Sequence, residues 1–383
     1  MSSYPVIKWI EAGKDTSARW RSEKNIPPPK RVLIADDRMT GDTAYRLACE
    51  GNALLWRGDF QNARQLLQAM ARRVDKKPRK RKTKKTAATP AEAFHQHRLT
   101  QSQRARTLGM LLLPFEADHS LPLRRAPDVH LACIDAYGTG TEPYIASLRE
   151  LQGLIGAYEW RKKGINVPAL DAQIHPHYGV FTPIRSEYVG LVATANLPKR
   201  AITQSVAFDI GTGTGVLAAV LAGRGIKQII ATDQDLRALN CARENLTRLG
   251  FAKQIDVVQA DLFPEKGLAS LIVCNPPWIP ARPSSPLEHA IFDPENRMLN
   301  GFLKGLTAHL APEGEGWLIL SDIAEHLGLR TREELLASID EAGLKVLSKS
   351  DVKPHHPRVS DINDPLHAAR EAELTSLWRL AAK

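Results

Sequence analysis

A polar and aromatic segment, Asn275, Pro276, Pro277 and Trp278, directly follows the apolar run Leu271–Cys274. If that run is a strand, the side-chain oxygen of Asn275 and the backbone carbonyl of Pro276 lie side by side at its end, next to an aromatic ring. Such a site can hold a planar amino group, because two acceptors take its two hydrogens and the ring covers its flat face. The alternative is a strand that simply ends at two prolines, since proline cannot continue a central ladder. We expect these four residues to be catalytic, with Trp278 also binding the substrate.

A glycine-rich loop lies upstream of this segment and contains Gly211, Gly213 and Gly215. The loop follows a predicted strand and opens a predicted helix, which is the context that a nucleotide-binding loop requires. A loop that binds a pyrophosphate has the spacing G-x-G-x-x-G, but here the third glycine is Gly215 and position 216 is a valine. No Walker lysine follows. The spacing therefore favours a nucleotide-like cofactor that needs close approach of the backbone and no cradle for phosphates.

From Val206 onward, short apolar strands alternate with amphipathic helices, which is the pattern of an α/β fold with a doubly wound, mostly parallel sheet. The predicted strands are Ser205–Ile210, Lys227–Ala231, Ile255–Gln259, Leu271–Cys274, Gly316–Ser321 and Lys345–Lys349. The predicted helices are Gly215–Gly223, Asp235–Leu249, Glu295–Leu310 and Thr331–Ala342. Asp233 follows the second strand about 20 residues after Gly211, a distance at which an acidic residue accepts hydrogen bonds from ribose hydroxyls.

Together these segments resemble the class I S-adenosylmethionine-dependent methyltransferases. Within that class they are most similar to the branch with an Asn-Pro-Pro-aromatic segment. This branch contains the release-factor and ribosomal-protein glutamine methyltransferases and the adenine and guanine amino-methyltransferases. The resemblance extends from Tyr178 to Leu380 and implies a Rossmann-like sheet closed by Glu373–Leu380 as an antiparallel edge strand.

The resemblance also implies S-adenosyl-L-methionine as the cofactor and a role for each strand end. Asp209 would orient the glycine loop or reach the methionine ammonium, and Asp233 would bind the ribose. Asp261 and Leu262 would bind the adenine. The expected cofactor-binding residues are Asp209, Gly211, Thr212, Gly213, Gly215, Asp233, Asp261, Leu262 and Asn275.

A further segment, Tyr178–Pro183, resembles the part of the family that covers the cofactor before the first strand, and we expect Phe181 to contact the substrate. The glutamine methyltransferases have Pro-Arg-Pro-Glu-Thr-Glu at this point. This chain has the shorter stretch Pro183–Glu187, and it has Trp278 where those enzymes have tyrosine. Both departures argue against a direct transfer of the glutamine substrate.

The first part of the chain lies outside the resemblance. Helical spacing predicts helices over Asp42–Val74, split near Gly58, and over Thr89–Leu113 and Glu142–Lys163, with one strand at Arg31–Ala35. We therefore predict a mainly helical N-terminal region at residues 1–71, a basic, disordered linker at 72–88 and a helical substrate-recognition region at 89–175. The methyltransferase domain would follow at 176–383.

The chain has 383 residues and a formal net charge of +10, and most of that charge lies in one segment. Residues 72–85 contain ten Lys or Arg and one Asp, so the rest of the chain is nearly neutral. A run of this kind binds polyanions by releasing their counterions, which predicts contact with nucleic acid or the ribosome. A solvated linker without a partner is the alternative.

The four cysteines are scattered and form no C-x-x-C pair, which is typical of reduced thiols in a cytoplasmic protein. The chain has no signal-peptide core and no membrane-length apolar stretch, so we expect no membrane association. Two histidine pairs, His175/His177 and His355/His356, lack a carboxylate or cysteine at ligand spacing. We expect no metal.

These observations predict an S-adenosylmethionine-dependent N-methyltransferase that acts on a planar NH2. A nucleobase amine of RNA or DNA is favoured, because the large indole suits a base and the basic segment suits phosphate. The alternative target is a glutamine side chain of a ribosomal or release-factor protein. An inactive fold that serves as a binding scaffold is a remote third alternative, since every expected cofactor position is filled.

Overall fold

A computed structural model describes residues 4–76, 89–183, 186–283, 286–355, 361 and 364–383. The chain forms two compact units. The first contains residues up to 86 together with 95–159, and the second contains 87–94 and 160–383. This division differs from the predicted one, because the predicted region 1–71 shares a unit with residues 95–159, whereas residues 89–94 and 160–175 belong to the other unit.

The first unit contains a six-stranded mixed sheet, in the order β1-β2-β6-β5-β4-β3. Its strands are β1 (Val6–Glu11), β2 (Lys14–Trp20), β3 (Arg31–Ala35), β4 (Asn52–Trp56), β5 (Leu111–Phe115) and β6 (Tyr144–Ser147). The helices up to residue 163 are α1 (Gly41–Cys49), α2 (Phe60–Val74), α3 (Pro90–Leu108), α4 (His130–Tyr137) and α5 (Leu148–Lys163). β4 pairs in parallel with β3 and β5, whereas β6 pairs antiparallel with β5.

The description of this part as mainly helical requires a correction. The predicted strand β3 is confirmed, but Leu54 and Leu55 lie on β4 and not on a helix. The helix predicted to reach Leu113 ends at Leu108, and the following leucines form β5. Apolar runs of five residues fit a buried strand as well as a buried helix, so periodicity alone cannot separate the two.

Two predicted helix boundaries in this part are confirmed. The Thr89 side chain accepts a hydrogen bond from the Glu92 amide, as expected for the residue before a helix start. Gly164 follows α5 with a φ of +74°. The predicted linker begins too early, because α2 continues through Val74. The predicted linker residues 77–88 lie outside the described part of the chain.

The second unit contains a seven-stranded sheet, in the order β11-β10-β9-β12-β13-β15-β14, and a small hairpin. The hairpin strands are β7 (Ile165–Val167) and β8 (Ala172–Ile174); the sheet strands are β9 (Val206–Ile210), β10 (Gln228–Asp233), β11 (Ile255–Gln259), β12 (Ala269–Cys274), β13 (Leu310–Ser321), β14 (Leu344–Val352) and β15 (Thr375–Ala382). The helices are α6 (Glu187–Thr194), α7 (Lys199–Thr203), α8 (Val216–Gly223), α9 (Leu236–Arg248), α10 (Arg297–His309), α11 (Ile323–His326), α12 (Arg332–Glu341) and α13 (His367–Ala372). Short 3-10 helices lie at Pro168–Leu170, Pro286–Ala290 and Pro294–Asn296.

This sheet is buried on both faces, as predicted for a doubly wound fold. Alternate residues of the central strands β9 and β12 enter different apolar cores: Ala207 and Val273 pack with α8, and Phe208 and Ile272 pack with α10. Side chains of a strand point alternately to opposite faces, so strands covered by helices on both sides read as continuous apolar runs.

The antiparallel strand is present, but its predicted position at the edge of the sheet is wrong. β15 lies between β13 and β14 and is antiparallel to both. Leu377, Trp378 and Leu380 are buried, which fits a strand with neighbours on each side. The edge is β14, which exposes Val346 and Leu347. None of the helices in the described residues combines the length and apolar character needed to cross a membrane.

Candidate cofactor and substrate site

The order in which strands are added to the sheet reverses between β9 and β12. β10 and β11 extend the sheet on one side of β9, and β12 pairs with β9 on the other side. The paired ends are Ile210 with Thr232 and Ile210 with Cys274, so the loops after these strands leave the same edge. In open α/β sheets, ligands bind at this point, outside the carboxyl ends of the strands.

The glycine loop after β9 is held against the end of β10 by backbone hydrogen bonds. The amides of Gly211 and Thr212 donate to the Thr232 carbonyl at 2.9 and 2.8 Å. The Gly213 amide donates to Asp233 Oδ2 at 3.0 Å. These bonds join two of the predicted cofactor segments directly.

The three glycines of the loop have φ values of +73°, +55° and +82°, which side chains rarely adopt. Their surroundings differ. A Cβ at Gly215 would lie 3.3 Å from the Ala242 Cα of α9, and one at Gly211 would lie 2.6 Å from the Met298 Cε of α10. A Cβ at Gly213 would meet only the Gly211 carbonyl oxygen, at 4.0 Å. Gly215 lets α8 begin close to the backbone of α9, Gly211 is covered by the end of the Met298 side chain, and Gly213 leaves space for a ligand.

Asp209 on β9 is 1% exposed and is hydrogen-bonded to the glycine loop. Its Oδ2 accepts hydrogen bonds from Thr212 Oγ1 at 2.6 Å and from the Ala218 amide at 3.0 Å. Its Oδ1 is buried and has no hydrogen-bond partner among the described residues. Burial raises the pKa of Asp209 to about 6, although both hydrogen bonds lower it. An unpaired buried carboxylate oxygen fits a ligand that carries an ammonium group.

Asp233 at the end of β10 is half-buried. Its Oδ1 accepts from the Asp235 amide at 3.0 Å, and its Oδ2 accepts from the Gly213 amide. Burial is the largest influence on the Asp233 carboxyl and raises its pKa. A carboxylate has about four lone-pair sites, so two protein donors leave acceptor capacity for hydroxyl groups of a ligand.

Asp261 and Leu262 follow β11 at the same edge. Asp261 is exposed, and its Oδ2 pairs with Arg297 Nη2 at 2.6 Å. Exposed ion pairs of this kind contribute little to stability, so the Asp261 carboxylate stays accessible to another donor. Leu262 has a φ of +74°, and its carbonyl accepts a hydrogen bond from the Thr232 hydroxyl. Its side chain packs beside Gly301, where an added Cβ would lie 2.6 Å away, and it presents an apolar wall.

The segment after β12 has one contact that the sequence did not predict. Trp278 Nε1 donates a hydrogen bond to Asn275 Oδ1 at 2.9 Å. Both residues are half-buried, and Pro276 between them is buried. The Trp278 side chain packs against the apolar cores on both faces of the sheet.

The predicted cover segment Tyr178–Pro183 is anchored to α9. Val180 is buried against Ala238 and Cys241, and the Arg237 guanidinium carbon lies 5.8 Å from the centre of the Tyr178 ring. Phe181 is half-buried in this segment. Residues 184–185 of the stretch Pro183–Glu187 lie outside the described part of the chain.

Three buried polar residues next to the candidate site, Asn245, Thr232 and Asp293, were not predicted from the sequence. Asn245 on α9 is 1% exposed, and its Nδ2 donates to the Thr214 carbonyl at 3.1 Å while its Oδ1 accepts from the His175 amide. Thr232 accepts the loop amides. Asp293 accepts from the Met298 and Leu299 amides at the start of α10. Asn245 could have been found from the sequence, because a polar residue within the apolar stripe of a helix indicates a buried polar contact. We find no such local signal for Asp293.

Two of the histidines predicted to be non-ligands, His175 and His177, lie within hydrogen-bond distance of protein groups. His175 Nδ1 lies 2.7 Å from the Arg161 carbonyl, and His177 Nε2 lies 2.8 Å from Glu244 Oε2. His355 is exposed, and His356 lies outside the described residues. Both contacts join the segment before α6 to its surroundings.

Comparison with known proteins gives one family and relatives of two kinds. The methyltransferase small domain family matches residues 171–332. A tRNA1(Val) (adenine(37)-N6)-methyltransferase of Shewanella amazonensis is 30% identical over 222 residues, which cover 53% of this chain and 92% of that relative. A protein of the same description from Bacteroides fragilis is 33% identical over 144 residues, 33% of this chain and 60% of the relative. A release factor glutamine methyltransferase of Cereibacter sphaeroides is 34% identical over 138 residues, 32% of this chain and 49% of the relative.

Proposed function

We propose, from the premise that the chain belongs to the methyltransferase small domain family and is an S-adenosylmethionine-dependent methyltransferase, that it methylates a planar NH2 of a nucleic-acid base. The observation that carries the proposal is the position of Asn275–Trp278. This segment follows β12 at the reversal point of the sheet, beside the glycine loop that follows β9.

The residues present fit S-adenosylmethionine. In the proposal, Gly211, Thr212, Gly213 and Gly215 let the backbone approach it, and the free oxygen of Asp209 accepts from its ammonium. Asp233 accepts from the ribose hydroxyls, Asp261 and Leu262 bind the adenine, and Asn275 borders the cofactor. The bound cofactor would supply an electrophilic methyl group.

The substrate side of the site orients the target nitrogen. An exocyclic amine is a weak nucleophile, because its lone pair is delocalised into the ring. Asn275 Oδ1 and the Pro276 carbonyl accept its two hydrogens, which turns the lone pair toward the methyl group. Pro277 shapes the turn, and Trp278 and Phe181 cover the flat face of the base.

A base is favoured over a glutamine for two reasons. The relative that the chain covers to 92% is described as a tRNA adenine-N6-methyltransferase, and the basic segment at residues 72–85 suits a phosphate backbone. Nucleic acid or a ribosomal complex is therefore the proposed partner, in the cytoplasm.

The second candidate target is the glutamine of a translation-factor protein. The similarity to a release factor glutamine methyltransferase, 34% over 138 residues, favours it. An amide NH2 presents the same two hydrogens as a base amine, so the acceptors at Asn275 and Pro276 would serve both.

The test is single-turnover transfer of a labelled methyl group into RNA, DNA and protein fractions of a strain that lacks this gene. Asn275→Ala should retain cofactor affinity and lose about 10²–10³-fold in the transfer rate, because a preorganised acceptor is missing at the reacting centre. Asn166→Ala, at an exposed position of β7, is the matched control and should keep the rate. An Asn275→Ala protein with a near-normal rate would contradict the proposal, and label in protein alone would favour the glutamine.

A further inference from the structure

The hydrogen bond between Trp278 and Asn275 has a defined donor and a defined acceptor. An indole N–H can only donate, whereas a carboxamide presents an accepting oxygen on one side and a donating NH2 of nearly equal size on the other. Trp278 Nε1 lies 2.9 Å from Asn275 Oδ1. Only one of the two orientations of the Asn275 amide pairs with this donor, since the other would bring an N–H against an NH2.

Packing holds both partners of this hydrogen bond. Asn275 follows Cys274, whose strand β12 pairs with β9 on one side and with β13 on the other. The Trp278 ring contacts the cores on both faces of the sheet and also the cluster that contains Phe94. A ring confined on several sides keeps its N–H in one direction, so the donor is preorganised.

We propose that Trp278 is a positioning residue, whose indole N–H sets the orientation of the Asn275 carboxamide so that Oδ1 accepts from the substrate amino group. This inference rests on the proposed function, in which Asn275 is an acceptor for the target NH2. An amide oxygen has two lone pairs, so Trp278 and the substrate share Oδ1. The flipped amide would present two hydrogens to the target and repel it.

The aromatic residue at position 278 therefore matters for its polar group as well as for its flat ring. A phenylalanine at this position covers a flat substrate but selects no amide orientation. A tyrosine hydroxyl both donates and accepts, so it pairs with either orientation. Tryptophan alone among the three combines a stacking face with a group that only donates.

The experiment is a double-mutant cycle on the full chain, with unfractionated tRNA from a strain that lacks this gene as the methyl acceptor. Trp278→Phe keeps an aromatic face and should lower kcat about tenfold with KM changed less than about twofold, the size expected for one orienting hydrogen bond. In the Asn275→Asp background, Trp278→Phe should have almost no further effect on kcat, because a carboxylate presents an oxygen in either orientation.

The two hypotheses fail in different ways. Equal losses from Trp278→Phe in both backgrounds would assign Trp278 to stacking or packing alone and overturn the positioning role, while Asn275→Ala still reports on the proposed function. Retained activity in Asn275→Ala would instead remove the proposed function itself.

A second measurement needs no methyl acceptor. Among the seven tryptophans, the indole N–H signal of Trp278 is identified in nuclear magnetic resonance spectra by its loss in Trp278→Phe. Its hydrogen exchange should accelerate about tenfold or more in Asn275→Ala and stay slow in Asn275→Asp, because only the first removes the acceptor. Unchanged exchange in Asn275→Ala would overturn the inference.

Discussion

At Asp209, burial and two hydrogen bonds act in opposite directions on one carboxyl group. Burial is the larger influence and raises the pKa to about 6. The ordinary pKa of an aspartate is about 3.9, so between about pH 4 and 6 the folded protein binds a proton that the unfolded chain has released. Ionisation of Asp209 therefore lowers the free energy of unfolding as the pH rises through this window.

Asp209→Asn should remove this pH dependence. As the pH rises from about 4 to 6, the wild type should lose up to about 3 kcal/mol of stability relative to the variant, with no further change above about pH 7, since two pKa units correspond to about 2.7 kcal/mol. Urea unfolding of both proteins at a series of pH values measures the difference. A difference that is constant with pH would show that the Asp209 carboxyl titrates normally.

Asp233 supports both the glycine loop and the proposed ribose site. Asp233→Ala should weaken S-adenosylmethionine binding by about 1–3 kcal/mol, the effect of losing a charge-assisted hydrogen bond. Isothermal calorimetry measures the affinity. Asp256→Ala removes the same charge from an exposed position on β11 and should leave binding unchanged. Unchanged affinity in a folded Asp233→Ala protein would contradict the ribose assignment.

The elements around the glycine loop hold it in position, because three strand ends and two helices meet there. Gly215 lets α8 approach α9, and the end of the Met298 side chain of α10 packs on Gly211. Asn245 joins the loop to the segment before α6. The loop is therefore held on several sides, and Gly213 is the glycine whose added Cβ would meet space.

Gly213→Ala should separate ligand binding from folding. The variant carries the strain of an alanine at φ +55°, about 1 kcal/mol. Its methyl group lies where the cofactor approaches in the proposal, so S-adenosylmethionine affinity should fall at least about tenfold. Gly250 has a φ of +81° and open space around it, but it lies between the end of α9 and the start of β11, and not at the carboxyl end of a strand. Gly250→Ala should lose similar stability and bind normally. Calorimetry and thermal unfolding of the two variants make the comparison, and equal affinities would place the ligand elsewhere.

The net charge of +10 is concentrated in one segment, and the rest of the chain is nearly neutral. Arg72 and Arg73 lie in the last turn of α2, and Arg73 pairs with Asp42, so these two residues also have a structural role. The remaining eight Lys and Arg of the segment lie at residues 76–85. A test of nucleic-acid binding should change those eight and keep the two arginines.

Replacing the eight basic residues at 76–85 by glutamine should weaken binding to tRNA or ribosomes and reduce its salt dependence. The slope of log K against log salt should fall by roughly 0.9 for each phosphate contact that is lost. S-adenosylmethionine affinity should not change. Lys162→Gln with Lys163→Gln, at exposed positions of α5, is a control for the loss of charge. Binding with an unchanged salt slope would show that the segment is only a linker.

Local sequence patterns predict the order of elements in the second unit and bring the candidate site residues to strand ends. β11 has its predicted bounds, and β9 and β12 differ from theirs by one and two residues at the start. Alternation of apolar strands with amphipathic helices is a local signal of burial. The glycine loop and Asn275 each follow a strand and Asp233 ends one, so the parallel order brings them to one edge.

Local patterns do not predict which segments become neighbours, because strand pairing depends on the tertiary fold. The six-stranded sheet joins β4 to β5 across a long interval of sequence, and β15 pairs between β13 and β14 and not at the edge. The free oxygen of Asp209 and the hydrogen bond from Trp278 to Asn275 also depend on packing. Periodicity records that a residue is buried but not the partner that buries it, because strand pairing and side-chain contacts join residues far apart in the chain.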